Sequence, residues 1–259
     1  MEKITGKNND LIKDVKRLLS SSKQRRNDNA FVLEGARLVF DVLNSFYKVS
    51  HFLITPDAYE KYKNNADRLI EISERSYIIT DEIANRLSDT QSSQGVFAVC
   101  KMQKSLEEKL DAKCKYIALD NVQDPGNLGA VVRTADALGL DGIIVGGGCD
   151  IYNPKALRAS MGSMLRVNPV VTENLADCLK YIQGRGGRVF ATVPDGSAKK
   201  ITAVDFSGGA VCVIGNEANG VSDEIKALSD ELVTIPMAGR AESLNASVAA
   251  SITIWEMLR

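Results

Sequence analysis

Residues 115–147, KYIALDNVQDPGNLGAVVRTADALGLDGIIVGG, decide the fold. An apolar run ends at Asp120, a polar turn follows, a helical stretch runs from Leu128 to Leu138, and a second apolar run follows as GIIVGG. Apolar runs without polar alternation predict strands buried on both faces, and a helix joining two of them predicts a parallel crossover. The pattern continues downstream with a helix from about Pro154 to Leu165, a strand VNPVV (167–171), a helix from Leu175 to Gln183, and strands RVFATV (188–193) and AVCVIGN (210–216). A short helix (Asp223 to Leu228), a strand (Leu232 to Met237) and a long final helix complete it, the last placing Leu244, Val248, Ile252 and Trp255 near one face. This half is α/β, a mostly parallel sheet with helices on both faces, and such sheets bind ligands in loops beyond the carboxyl ends of their strands.

Upstream, shorter elements alternate. The spacing of Leu11, Ile12, Val15, Leu18 and Leu19 predicts a helix from Asn9 to Ser22, and SSKQRRNDN (21–29) reads as a polar link. Strand AFVLEG, a helix from Ala36 to Phe46, strand HFLIT, a charged helix from Tyr59 to Ser73, strand SYIIT, helix DEIANRL and strand GVFAVCKM follow. These predict a small α/β domain of their own. The charged stretch QKSLEEKLDAK (103–113) is the best boundary, giving domains over 1–104 and 113–259.

A chain of 259 residues with 44% hydrophobic and 25% charged residues has the composition of an ordinary globular protein. No stretch approaches the roughly 20 apolar residues of a membrane span, and MEKITGKNNDLIK lacks an apolar signal region, so a cytoplasmic protein is expected. Five scattered cysteines without a CxxC pair predict reduced thiols and no metal site. One histidine, His51, argues against Ser-His catalysis. The net charge of −1 announces no nucleic-acid partner, yet residues 1–30 carry eight cations against four carboxylates. Within that basic end Lys13, Arg17, Lys23, Arg25 and Arg26 are candidate phosphate contacts, although a solvated helix face explains them equally well. Neither a GxxxxGK[ST] loop nor a dinucleotide GxGxxG fingerprint is present.

Three loops that follow strands carry the polar residues. In the first, Asp124, Pro125 and Gly126 make a tight turn, and Asn127 is placed to cap the helix carrying Arg133. In the second, Gly215 and Gly220 flank Glu217, which would let backbone approach a ligand closely. In the third, AGRAESLN gathers Arg240, Glu242, Ser243 and Asn245, with Ser243 as a plausible N-cap.

Taken in order, LDNVQDPGNLGAVVRTADALG, VIGNEANGVSDE and IPMAGRAESLNASVAASI resemble the signature motifs of the SpoU-type (TrmH-like) RNA ribose 2'-O-methyltransferases of the SPOUT superfamily. FVLEGARLV at 31–39 is similar to that family's ribosomal-protein-L30e-like RNA substrate-binding domain. The resemblance implies a C-terminal trefoil knot, a homodimer with sites completed across its interface, and S-adenosylmethionine bound near Gly215, Ile235 and Leu244, with Thr192 and Met237 beside it. It also implies methyl transfer to a ribose 2'-hydroxyl, with Arg133 as hydroxyl activator or phosphate clamp and Asn127, Glu217, Ser243 and Asn245 in support. Asn127 and Asn245 would hold loops or ribose, Glu217 would orient Arg133 or loop amides, and Ser243 would meet substrate phosphate or hydroxyl. A structural role remains open for each. The two-domain layout favours ribosomal RNA, with 23S rRNA as the expected substrate. A tRNA 2'-O-methyltransferase and a non-catalytic RNA-binding assembly factor are the alternatives.

Overall fold

The structure, a computed structural model, describes residues 1–88, 93–103, 110–167 and 169–259. Most of the expected link at 103–113, and Asn168 within VNPVV, lie outside them. The chain divides into two compact units, Met1–Lys104 with Tyr152–Leu165, and Ser105–Ile151 with Arg166–Arg259.

The first unit begins with β1 (Glu2–Ile4), α1 (Asp10–Ser20), α2 (Ser22–Asp28), β2 (Ala30–Glu34), α3 (Ala36–Asp41) and β3 (Val49–Ile54). It continues with α4 (Pro56–Lys61), α5 (Lys63–Ile72), β4 (Arg75–Ile79), α6 (Asp81–Leu87) and β5 (Val96–Lys101). Its sheet has the order β1-β4-β3-β5-β2, with β5 antiparallel to both of its neighbours. The apolar stripe of α1 is buried as read, through Ile12, Val15 and Leu18 against Leu53, Phe97 and Val99 of the sheet. The polar link 21–29 is a correction: it holds helix α2, capped by Ser21 and closed by Asn29 in the left-handed region. No apolar period announces that helix, because its inward side chain is Arg25.

The second unit contains β6 (Lys115–Asp120), α7 (Pro125–Leu138) and β7 (Gly142–Gly146). The chain then forms α8 (Pro154–Ala159), within the first unit, and α9 (Met164–Val167); the single helix expected here is broken by left-handed backbone at Met161 and Gly162. Next come β8 (Val170–Thr172), α10 (Leu175–Gln183), β9 (Arg188–Thr192), β10 (Lys199–Lys200), β11 (Ala210–Ile214), α11 (Asp223–Leu228), β12 (Glu231–Thr234) and α12 (Ala246–Leu258). Seven strands in the order β10-β12-β9-β11-β6-β7-β8 form a sheet in which every pairing is parallel.

Val189, Ala191, Val211 and Val213 pack with α10 and α11 on one face. The alternate residues Phe190 and Cys212, equally buried, belong to the opposite face by the two-residue period of a strand. The five cysteines form no disulfide; burial pushes the thiols of Cys100 and Cys212 well above their ordinary range. Among the described residues no helix is long and apolar enough to cross a membrane.

The last helix buries small and large residues together. Its buried residues are Ala246, Ala250, Thr253, Ile254 and Met257, whereas Leu244, Val248 and Trp255 are 37%, 46% and 59% exposed. The face that the sequence spacing marks with Leu244, Val248, Ile252 and Trp255 is thus not the one buried in the unit's own core; Ile252 on it is half-buried. Small residues on the other face let α12 approach α7, where the hydroxyls of Thr134 and Ser251 lie 3.1 Å apart.

Candidate functional site

The three polar loops follow β6, β11 and β12, and a chain of side-chain bonds joins them. In the first, Asp124 accepts the amide of Asn127 at 2.8 Å with Pro125 in the first turn of α7. Asp124, and not Asn127, is therefore the N-cap: its oxygen lies three residues before the amide it takes. Asn127 sits inside the first turn, 8% exposed, with its side chain free for other partners.

In the second loop the amide of Asn216 donates to the carbonyl of Gly220 at 3.0 Å, and the reverse bond is 2.9 Å. A β-carbon on Gly215 would stand 2.0 Å from the backbone of Gly220 and Val221. The room left by this glycine is filled by the loop's own chain, so no side chain fits at this point of the cavity wall. Asn216 further donates to the carbonyl of Asn121 at 2.8 Å, so the second loop is tied to the first.

In the third, Asn245 caps α12 by accepting from the amides of Ser247 and Val248 at 2.9 and 3.3 Å. Ser243 is not the cap. It lies too early in the chain to reach those amides and instead borders a cavity beside the loops.

Glu217 is the centre of the bridge. Its carboxylate accepts from the amides of Gln123 and Asp124, both at 3.0 Å, and from Nδ2 of Asn127 at 2.9 Å. The carbonyl oxygen of Asn127 then accepts from Nδ2 of Asn245, also at 2.9 Å. With its oxygen committed to the cap, Asn245 has only donors left for Asn127, so the amide orientations along the chain agree. Burial alone would raise the Glu217 carboxyl, but the Gln123 amide, the Asn127 side chain and the Asp124 amide outweigh it and hold the carboxyl below its ordinary value. Of the two roles open to Glu217, the loop amides are the one seen.

The cavity beside this bridge has a volume of about 730 Å³, within the range of small-molecule sites. Thr192, Gly215, Ile235, Met237 and Leu244 all border it, together with Glu217, Ser243 and Asn245. Its wall also takes in Pro194, Asp195 and Lys226, which sequence reading missed. The available signal was the Asp-Gly turn directly after strand β9, a fourth loop at the same edge of the sheet.

Arg133 stands apart. It is exposed on α7, does not border the cavity, and has no hydrogen-bond or ion-pair partner among the described residues. In the first unit Lys13 and Arg17 pair with Asp10 and Asp14 at 2.9 and 3.0 Å on the exposed side of α1, and Lys23 and Arg26 are exposed. Arg25 differs: it is 3% exposed and donates from Nη1 to the carbonyl of Leu18 at 2.6 Å, bracing the end of α1. That burial withdraws it from the phosphate contacts expected of the basic end.

Residues 115–255 match the SpoU rRNA Methylase family and residues 9–98 the MRM3-like substrate binding domain. The 23S rRNA (guanosine(2553)-2'-O)-methyltransferase RlmP of Bacillus subtilis is 33% identical over 258 residues, covering 99% of both chains. The 23S rRNA (uridine(2479)-2'-O)-methyltransferase of Streptomyces viridochromogenes is 27% identical, covering 93% of this chain and 87% of that one. The crystal structure of an AdoMet-bound rRNA methyltransferase from Sinorhizobium meliloti superposes with a TM-score of 0.89 at 29% identity, over 99% and 97% of the two chains. With its motif loops bridged beside a cavity and more than half its length matched, the chain belongs to the SpoU rRNA methylase family.

Proposed function

We propose that this protein transfers a methyl group from S-adenosylmethionine to a ribose 2'-hydroxyl of 23S ribosomal RNA. The observation that carries the reading is the Glu217–Asn127–Asn245 bridge, which holds all three motif loops around one wall of the cavity. The cavity suits the cofactor: its wall mixes apolar side chains (Ile235, Met237, Leu244) with loop backbone around Gly215. When bound there, S-adenosylmethionine supplies an electrophilic methyl on a sulfonium centre.

The chain's own residues then have to align a poor nucleophile. A ribose hydroxyl gains most from being held in line, with its proton given a route away. Arg133 is suited to clamp the adjoining phosphate and position that hydroxyl, because a guanidinium is a strong fork-shaped donor and a very weak base. Ser243, on the cavity wall, is placed to meet the substrate's phosphate or hydroxyl, while Asn127, Asn245 and Glu217 keep the walls in register. Thr192 fits the wall role through its own anchoring: its hydroxyl donates to the carbonyl of Val213 at 2.8 Å.

The same proposal includes a cytoplasmic homodimer joined through α12, whose exposed Val248 and Trp255, with Leu244 just ahead of the helix, need a cover, and a trefoil knot in the C-terminal chain. Sites completed across that interface account for Arg133 lying off the cavity wall of its own chain. The first unit is the substrate-binding domain, with Lys13, Arg17, Lys23 and Arg26 as sequence-independent phosphate contacts. A tRNA substrate is the less favoured reading, since the full-length relatives from Bacillus subtilis and Streptomyces viridochromogenes carry 23S rRNA names. Incubating the protein with labelled S-adenosylmethionine and unmodified bacterial RNA tests the reading. Label in 2'-O-methyl nucleosides of 23S rRNA is expected. Absence of both transfer and cofactor binding would favour a non-catalytic assembly factor.

A further inference from the structure

The stretch Tyr152–Leu165 reads as part of the C-terminal half but packs in the first unit. The Tyr152 ring stacks on Phe31 of β2 with centroids 4.4 Å apart, and its hydroxyl lies 3.4 Å from that of Tyr47. Six residues further on, Arg158 of α8 approaches the Glu34 carboxylate at 3.4 Å, with the glutamate side chain 5% exposed and the arginine 27%. Ser88 also donates to Glu34. A buried carboxylate without its cation is costly, so this pairing fixes where β2 ends.

The turn after Glu34 gives the pairing a purpose. Gly35 takes a left-handed conformation at φ 93°, its amide donates to Val96, and the next amide, of Ala36, donates to Oε1 of Gln94 at 2.7 Å. The turn is held from three sides and then presents Arg37. That side chain is exposed and has no hydrogen-bond or ion-pair partner among the described residues. A cation in the first turn of a helix opposes the helix dipole, so helix stability does not explain its position.

We propose that Arg158 is a positioning residue for RNA binding: by pairing with Glu34 it fixes the turn that presents Arg37 to an RNA phosphate. The proposal rests on the reading of the first unit as an RNA-binding domain. A strand end pinned by a buried ion pair from a distant part of the sequence keeps Arg37 in one place, so less ordering remains to be done when RNA arrives.

The test is a double-mutant cycle on the full chain with an unmodified 23S rRNA transcript, read as the dependence of affinity on salt. Arg37→Ala removes one phosphate contact and lowers the slope of log K against log salt by about 1. Arg158→Met, and independently Glu34→Gln, which keeps a partner for Ser88, are expected to weaken binding with a similar loss of slope. S-adenosylmethionine affinity, measured in parallel as the control for folding, stays within twofold of wild type. Because all three act on one contact, Arg37→Ala/Arg158→Met binds no more weakly than the worse single variant, whereas independent sites would add. Should Arg158→Met fail to fold, the cycle is run with Glu34→Gln. Wild-type RNA affinity in the Arg158 or Glu34 variant, or additive losses with Arg37→Ala, would overturn the proposal. Absence of RNA methylation by the wild type would instead count against the proposed methyltransferase function.

Discussion

Replacing Glu217 with glutamine isolates the bridge between the loops. The carboxylate takes three N–H donors on two oxygens, and a glutamine offers one acceptor oxygen and turns an NH₂ group toward donors. Losing charge-assisted bonds of this kind costs roughly 1.5–3 kcal/mol. Because Glu217 is exposed on one side, solvent screening trims that to about 1–2 kcal/mol. Urea unfolding monitored by circular dichroism at pH 7 measures the difference.

The folded carboxyl is held below its ordinary value of 4.5, so its contribution is fully present above pH 4.5 and is lost as pH falls through the lower folded value. The gap between wild type and Glu217→Gln should therefore be widest near neutrality and close in acid below pH 4.5. Equal stability at pH 7, or a gap that persists unchanged in acid, would refute the assignment of Glu217 as the ionised anchor of the loops.

Two further variants probe the same geometry. Gly215→Ala places a methyl 2.0 Å from backbone of Gly220 and Val221, so the second loop has to open; isothermal titration should find S-adenosylmethionine binding lost while circular dichroism retains the fold. Trp255→Glu puts a charge on the exposed apolar face of α12, where Trp255 is 59% exposed; under the proposed dimer, analytical ultracentrifugation should show a dimer for wild type and a monomer for the variant, and a variant that remains dimeric would exclude this face.

How far the sequence carried the reading depends on what each residue was paired with. The strand KYIALD and the helices DEIANRL and Leu175–Gln183 have the bounds their apolar patterns predict, because local signals set them: apolar periodicity, joined in the helices by the caps Thr80 and Asn174. Helix α2 is silent in the sequence since SKQRRND buries an arginine against carbonyls of α1, a pairing with no periodic signature. At α7 and α12 the choice of cap was among neighbouring residues able to do the job, Asp124 against Asn127 and Asn245 against Ser243, and only backbone direction settles such a choice. Apolar residues are spread all round α12, so hydropathy could not say that Ala246, Ala250, Ile254 and Met257 face the core while Val248 and Trp255 face outward. The motif residues were legible by type and order. Their bonds were not: Glu217 and Asn127 are 90 positions apart, and nothing local to either announces the other.

The most direct test of the central claim is methyl transfer itself. The protein and its Arg133→Ala variant are each given labelled S-adenosylmethionine and unmodified 23S rRNA, and the digested RNA is resolved into nucleosides. The proposed chemistry predicts a single 2'-O-methylated nucleoside from wild type, with transfer lost in the variant while its cofactor affinity is unchanged. Label appearing on a base, or transfer by Arg133→Ala at the wild-type rate, would contradict it.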